Sequence, residues 1–322
     1  MDSPRIAVYY DVLPSTGMRN EGPPLFSTIN MRKILDPGSL LFDKKGNVAK
    51  LQESKFVHHL SPLYPLSHFG KFDLNLLVDY GEDAIGIPID WEIPHPSAYW
   101  VSDTHLGYDY RLKRAKQMDF VFTCQKRARE EFIRDGIPAE KVFWLPHAVD
   151  EQCYKPESII ERWDWAFIGY LNGLSRINLL DRLLKEFPNA YIGWRMGEFR
   201  GFNALEDACH KMNQARIIPN MTIGDDISMR YFETMASKRC FLTNDIPTAH
   251  DLFENQKHLW LYRSEDEAVS IMKALLVDHR LRNEVAQAGY DEVISKHTYR
   301  HRMLEILRTC LNYQPMEDLA KC

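Results

Sequence analysis

The sequence predicts an α/β protein of two Rossmann-like lobes, and three features carry that expectation. Short apolar runs of strand length alternate with longer segments rich in helix formers. The alternation breaks at a polar, irregular stretch around Pro146 to Pro156 and then begins again. The 322 residues, 45% hydrophobic and 26% charged, can bury a sizeable interior and fit one large or two ordinary domains.

Taken in order, residues 6–10, 74–78, 98–101, 120–123 and 142–145 read as buried strands. Between the later ones, 111–118 and 125–135 read as helices, the second ended by Gly136 as a C-cap. A long loop is expected over 13–24, where Pro, Gly and polar residues follow the first strand. The second start gives strands at 165–168, 190–194, 215–219 and 240–243, helices at 175–187 and 228–237, and further helices from Glu265 onward. Alternation of this kind implies parallel sheets covered by helices on both faces. The expected division is residues 1–155, 156–305, and a tail over 306–322 that packs back or is partly disordered. Open α/β sheets bind ligands beyond the carboxyl ends of their strands, so a crevice between the lobes is the expected site.

Composition narrows the function classes. A net charge of −5 argues against a broad footprint on nucleic acid or an anionic membrane. The chain opens on the strand-like Arg5-Ile-Ala-Val-Tyr-Tyr-Asp11 rather than on a basic, then apolar, leader. No apolar run approaches the roughly 20 residues that span a bilayer. The expected location is therefore the cytoplasm, with no transmembrane segment. Cysteines 124, 153, 209, 240, 310 and 322 form no metal-ligand spacing, so reduced thiols and no metal site are expected. Clusters at Lys113, Arg114 and Lys116 and at Lys126, Arg127 and Arg129 read as solvated helix faces. His58, His59, His68 and His95 carry no partner pattern.

The chain has neither a GxxxxGK[ST] loop nor a GxGxxG after its first strand, which removes the best support for an ATPase, a kinase or an ordinary dehydrogenase. Instead Phe167-Ile-Gly169-Tyr-Leu-Asn172-Gly173-Leu-Ser175-Arg176 sets glycines and an arginine between a strand and a helix. Backbone N–H groups there suit a phosphate, and Arg176 adds charge-assisted hydrogen bonds. Read alone, the same residues also fit an ordinary glycine-containing turn and a solvated arginine. Further on, Asp226 or Ser228 is placed to cap a helix carrying Arg230 and Glu233 three positions apart. An arginine suits a diphosphate, and a carboxylate one turn along suits the two hydroxyls of a ribose. An exposed ion pair of small energetic value is the alternative. After the strand at 98–101, Trp100-Val-Ser-Asp103-Thr-His105 places Asp103 and His105 at a strand end.

With those residues in view, the sequence resembles the CgeB-like (spore protein glycosyltransferase-like) branch of the GT-B glycosyltransferases, with a family 4-like C-terminal lobe. The resemblance rests on Asp226-Ile-Ser-Met-Arg230-Tyr-Phe-Glu233-Thr-Met-Ala236, the strand ending in Leu242-Thr243, Leu261-Tyr-Arg-Ser-Glu-Asp-Glu267 and His297-Thr-Tyr-Arg-His-Arg302, within about residues 163 to 305. It implies donor binding by Gly169, Asn172, Gly173, Arg176, Arg230, Glu233 and Thr243, with Glu233 on the ribose and the arginines near the diphosphate. It also implies catalytic roles for Asp103 and His105 through a similar Asp-x-His. The segment Leu145-Pro-His-Ala-Val-Asp150, followed by Tyr154 and Pro156, is similar to the stretch that closes the N-terminal lobe in related retaining transferases, with His147 and Ala148 standing where those have Asn and Gly.

The activity so implied is hexosyltransferase-type: transfer of a sugar from a nucleoside-diphosphate donor, UDP-sugar before GDP-sugar, without metal or other cofactor and with retention. Acceptors of several kinds fit, namely an envelope glycan, a protein hydroxyl, a small molecule or, less well, a modified nucleic-acid base. Two other readings remain open here: a nucleotide-sugar 2-epimerase on the same fold, and a catalytically silent nucleotide-sugar-binding protein.

Overall fold

The computed structural model describes residues 3–10, 39–43, 47–50, 58–59, 70–79, 92–169, 171, 173–193 and 204–314. The loop expected at 13–24, Asn172, His68 and residues 315–322 lie outside them. The chain forms two compact units, residues 1–146 together with 299–322, and residues 147–298.

In the first unit β1 (Ile6–Tyr10), β2 (Leu40–Asp43), β3 (Asn47–Lys50), β4 (His58–His59), β5 (Leu74–Asp79), β6 (Ser97–Val101), β7 (Phe120–Thr123) and β8 (Val142–Trp144) make one sheet, ordered 4-3-2-1-5-6-7-8. From β2 to β8 all neighbours are parallel, while β3 and β4 are added antiparallel. The central strands are largely apolar and buried, with Asn75 of β5 taking the Tyr9 hydroxyl at 3.0 Å as a polar exception. Ala7, Tyr9, Leu77, Tyr99, Val101 and Val121 form a core with Ala115 and Phe132 of the helices α1 (Tyr108–Ala115) and α2 (Lys126–Arg134). Gly136 ends α2 at φ +100°, and the Ile137 N–H reaches back to the Phe132 carbonyl at 3.0 Å, as the C-cap reading expects.

The second unit is all parallel. Its strands β9 (Trp163–Ile168), β10 (Ala190–Gly193), β11 (Ala215–Pro219), β12 (Cys240–Asn244) and β13 (Trp260–Tyr262) take the order 10-9-11-12-13. Helices α3 (Leu174–Glu186), α4 (Ala204–Asn213), α5 (Met229–Ala236), α6 (Pro247–Leu252), α7 (Glu265–Val277) and α8 (His279–Lys296) connect and follow them. Ser264 caps α7 by accepting the Glu267 N–H at 3.2 Å, and Asp278 caps α8 by accepting that of Leu281 at 2.9 Å. Trp165, Phe167, Ile217 and Leu242 pack on Leu179, Leu183, Met272 and Leu275 as the core.

Strand order reverses between β1 and β5 in one sheet and between β9 and β11 in the other. Such reversals open a crevice at the carboxyl ends of the strands, the usual ligand position in doubly wound sheets.

The chain closes on α9 (Tyr299–Leu311), which belongs to the first unit. The units thus divide at 146/147 and 298/299, whereas the sequence reading divides the chain at 155/156 and 305/306. The reason is packing: Tyr299, Met303, Ile306 and Leu307 are buried, Tyr299 meets Trp100 edge-on at 6.1 Å, and Arg302 Nε donates to the Pro146 carbonyl at 2.7 Å.

Candidate functional site

The reversal between β9 and β11 gathers most of the residues marked by the sequence. Beyond β9 the chain turns through Gly169 and Gly173, and α3 begins. Gly173 occupies the N-cap position at φ +87°, a conformation that favours glycine and leaves that end of α3 without a side-chain cap. Arg176, in the first turn of α3, donates to the Met221 carbonyl just past β11 through Nε at 3.1 Å and Nη2 at 2.7 Å. Its guanidinium lies 5.7 Å from the centre of the Phe167 ring. From the other side Arg230, on α5, donates through Nη2 to the Ile168 carbonyl that ends β9. The two arginines therefore cross the reversal point, each fixed to a carbonyl at a strand end.

Electrostatics at this point favour an anion. Burial, then the neighbouring positive charge of Arg230, lowers the pKa of Arg176 from the ordinary arginine value. A negatively charged group placed here relieves that repulsion and meets guanidinium donors already aimed. Ser228 holds the N-cap position of α5 but makes no side-chain capping bond. Of the two expected caps, Asp226 or Ser228, the Ser228 side chain is therefore excluded. Its backbone is extended, and its carbonyl accepts the first-turn N–H of Tyr231 at 3.2 Å.

A polar network fixes the floor of the site. Asn220 Nδ2 donates to Thr222 Oγ1 at 3.1 Å and to Thr243 Oγ1 at 3.2 Å, and the Thr243 hydroxyl donates to Asn244 Oδ1 at 3.2 Å. Asn244 Oδ1 also accepts the Thr222 N–H at 2.6 Å, while Tyr262 donates its hydroxyl to the Asn220 carbonyl at 2.8 Å. Thr243 is fully buried, so its hydroxyl ties β12 to β11 and holds in place the Met221 carbonyl that Arg176 uses. Gly169 and Gly173 stand at the loop as expected.

Arg230 and Glu233 are adjacent on α5, as their spacing predicts, with Nη1 3.4 Å from Oε2. They are not the exposed pair of the alternative reading: the side chains are 20% and 8% accessible. Tyr154 is buried, and burial, then the negative charge of Glu233, raises its phenol well above the ordinary tyrosine range.

In the first unit Asp103 and His105 sit on a turn directly after β6, closed by the Leu106 N–H donating to the Asp103 carbonyl at 2.8 Å. Asp103 has φ +48°, and His105 is exposed. The turn is held by Arg111, a fully buried residue of α1. Its Nη1 donates to the Asp103 and Leu106 carbonyls, and Nε and Nη2 grip Asp79 at 3.1 and 3.2 Å. Arg114 is also buried, with Nη1 on Gln117 Oε1 at 3.0 Å, which corrects the solvated reading for that residue, while Lys113 and Lys116 are exposed as expected. Arg111 precedes the buried Ala115 by four residues and the buried Met118 by seven, a spacing that could have placed it on the inner face.

Among the described residues there is no group of three or more His, Cys, Asp or Glu side chains that could hold a metal, and no helix is long and apolar enough to cross a membrane. Cys124, Cys153, Cys209, Cys240 and Cys310 are free thiols.

Residues 176–308 match the family model described as glycosyl transferase-like. No curated protein sequence matches the chain significantly. Among solved structures it is similar to Alr3699/HepE from Anabaena in complex with UDP and glucose, at 12% identity and a TM-score of 0.64, over 95% of this chain and 99% of that one. It is also similar to sucrose-phosphate synthase from Thermosynechococcus elongatus, at 10% identity and a TM-score of 0.63, over 94% and 97% of the two chains. The fold of this protein is GT-B, as the sequence predicts.

Proposed function

We propose that this protein is a glycosyltransferase whose second unit binds a nucleoside-diphosphate-sugar, with UDP-sugar favoured over GDP-sugar. The observation that carries this reading is the crossing of Arg176 and Arg230 over the strand reversal, with Glu233 beside them. The choice of UDP is supported by HepE, whose crystal structures hold UDP or UDP-glucose.

In this reading the bond between the sugar and the diphosphate breaks with its electron pair passing to the phosphate oxygen. Arg176, Arg230 and the first turns of α3 and α5 stabilise the charge that develops there. Two guanidinium groups supply positive charge in fixed positions, so the reading needs no divalent cation. Gly169, Asn172 and Gly173 border the diphosphate, Glu233 takes the ribose, and Thr243 acts by holding the site's floor. An acceptor hydroxyl attacks the anomeric carbon and gives up its proton, for which the reading assigns His105 with Asp103. The expected acceptors are an envelope glycan, a protein hydroxyl or a small molecule, the stereochemistry is retaining, and the compartment is the cytoplasm.

The test is calorimetry and thermal shift with UDP, GDP, ADP and their sugar conjugates, since a ligand that binds only the folded protein raises its stability. Selective stabilisation by UDP and UDP-sugars is the expected result, unchanged by chelator. Silence across the panel would overturn the reading.

A further inference from the structure

The peptide between Met221 and Thr222 is held at both of its polar atoms. Its N–H donates to Asn244 Oδ1 at 2.6 Å, and its carbonyl accepts Arg176 through Nε at 3.1 Å and Nη2 at 2.7 Å. A peptide unit is planar, so fixing the direction of the N–H also fixes that of the carbonyl opposite. Asn244 is fixed in turn: its Nδ2 donates to the Thr222 carbonyl at 3.2 Å, and its Oδ1 accepts the Thr243 hydroxyl at 3.2 Å. The ladder between β11 and β12 ends at Pro219 opposite Leu242, and past it the Asn244 side chain takes up the backbone of Thr222 in place of a strand.

We propose that Asn244 is a positioning residue for diphosphate recognition: through the Met221–Thr222 peptide it aims the carbonyl that holds Arg176, and so sets where that guanidinium meets the anion. This rests on the reading of the second unit as a nucleotide-sugar site and adds to it a residue that acts through Arg176. Hydrogen bonds at the two ends of one peptide also polarise it and strengthen each other. An arginine side chain loses considerable rotamer freedom when it is fixed. With Asn244 in place that loss is met on folding, so the ligand does not incur it on binding. Without it the Thr222 N–H loses its acceptor, the peptide can turn, and the ligand must order the guanidinium itself.

The experiment compares UDP with uridine by calorimetry on the full chain, for the wild type, Asn244→Ala, Arg176→Ala and the double variant. The expected result for Asn244→Ala is a loss of roughly tenfold in UDP affinity, the size of one hydrogen bond, with uridine affinity unchanged. In the Arg176→Ala background the same change should cost UDP nothing further, because the group through which Asn244 acts is gone. Thr243→Val, which removes the hydroxyl that Asn244 Oδ1 accepts, gives a second measure should the alanine variant fail to fold. It should show a smaller loss for UDP, none for uridine, and none once Arg176 is replaced. Equal losses for UDP and uridine, no loss for UDP, or a loss undiminished in the Arg176→Ala background would overturn the inference while leaving the donor reading intact. A wild type that binds neither ligand would reject the donor reading and this inference with it.

Discussion

Arg176 donates twice to one backbone oxygen, that of Met221, through Nε at 3.1 Å and Nη2 at 2.7 Å. The bonds bridge the first turn of α3 and the end of β11, so the guanidinium is held at the strand reversal before any ligand arrives. A cation so placed gains little for the fold that a neutral donor would not also give. Its fixed charge gains more from an anion.

Replacing Arg176 with Ala should therefore weaken nucleoside diphosphate binding by about 1.5–3 kcal/mol, the range for hydrogen bonds to charged groups. That is roughly tenfold to a hundredfold in Kd. Nucleoside affinity should change little, so calorimetry with UDP beside uridine separates the effect from general damage. Equal losses for both ligands would show that Arg176 supports the fold and not the phosphate.

Arg230 and Glu233 call for a different experiment, because Glu233 is only 8% accessible. Removing Arg230 alone leaves a carboxylate nearly buried with its ion-pair partner gone. Breaking a buried pair costs about 3–5 kcal/mol, and the 20% accessibility of Arg230 puts the expectation toward the lower figure. Stability should thus fall as well as affinity. In denaturant unfolding, Arg230→Met combined with Glu233→Leu should be less destabilising than the sum of the single changes. Additive effects would mean that the pair is not coupled.

These contacts also mark how far the sequence could be read. The strands β1, β5 to β8 and β9 to β12 were legible because parallel, doubly covered strands are continuous apolar runs. The short or mixed segments of β2, β3, β4 and β13 carry no such signal. Arg176, Arg230 and Glu233 were legible from local spacing after a strand or on one helix. Their partners were not, since Met221 and Ile168 lie 45 and 62 positions away along the chain. Charge misled for Arg114, because a basic cluster on a helix is ordinarily solvated, and nothing local showed that the turn carbonyls and Asp79 draw Arg111 inward. The units divide at 298/299, ahead of the expected 305/306, and the helical pattern of α9 does not say which core receives its apolar face.

At low pH the end of α2 offers a test of linkage. Hydrogen bonds from Arg134, then from Tyr108, lower the carboxyl of Asp135 from 3.8 to about 2. A depressed folded-state pKa means that the unfolded chain binds the proton more readily. The contribution to stability is therefore present above pH 3.8 and is lost as the pH falls through about 2. Asp135→Asn should remove this part of the acid dependence and leave the curve above pH 5 nearly parallel to the wild type. Titration of the Asp135 carboxyl by NMR gives the direct check, and an ordinary value of about 3.9 would refute the assignment.

Arg111 gives the sharpest contrast between position and charge. It is fully buried and joins the Asp79 carboxylate to the carbonyls of Asp103 and Leu106, whereas Lys113, two residues on, is exposed. Arg111→Met should cost about 3 kcal/mol or more, because it strands the Asp79 carboxylate and frees two carbonyls at once. Lys113→Ala should stay within about 0.5 kcal/mol. Arg111→Lys keeps the charge but cannot span the carboxylate and both carbonyls, so it should recover only part of the loss. The same turn carries His105, which is exposed and contributes little to packing. His105→Ala should therefore leave the unfolding curve and UDP affinity unchanged while slowing turnover of UDP-sugar. If Arg111→Lys melts like the wild type, the fork geometry is not what holds the turn. If His105→Ala turns over donor at the wild-type rate, His105 is not a catalytic group.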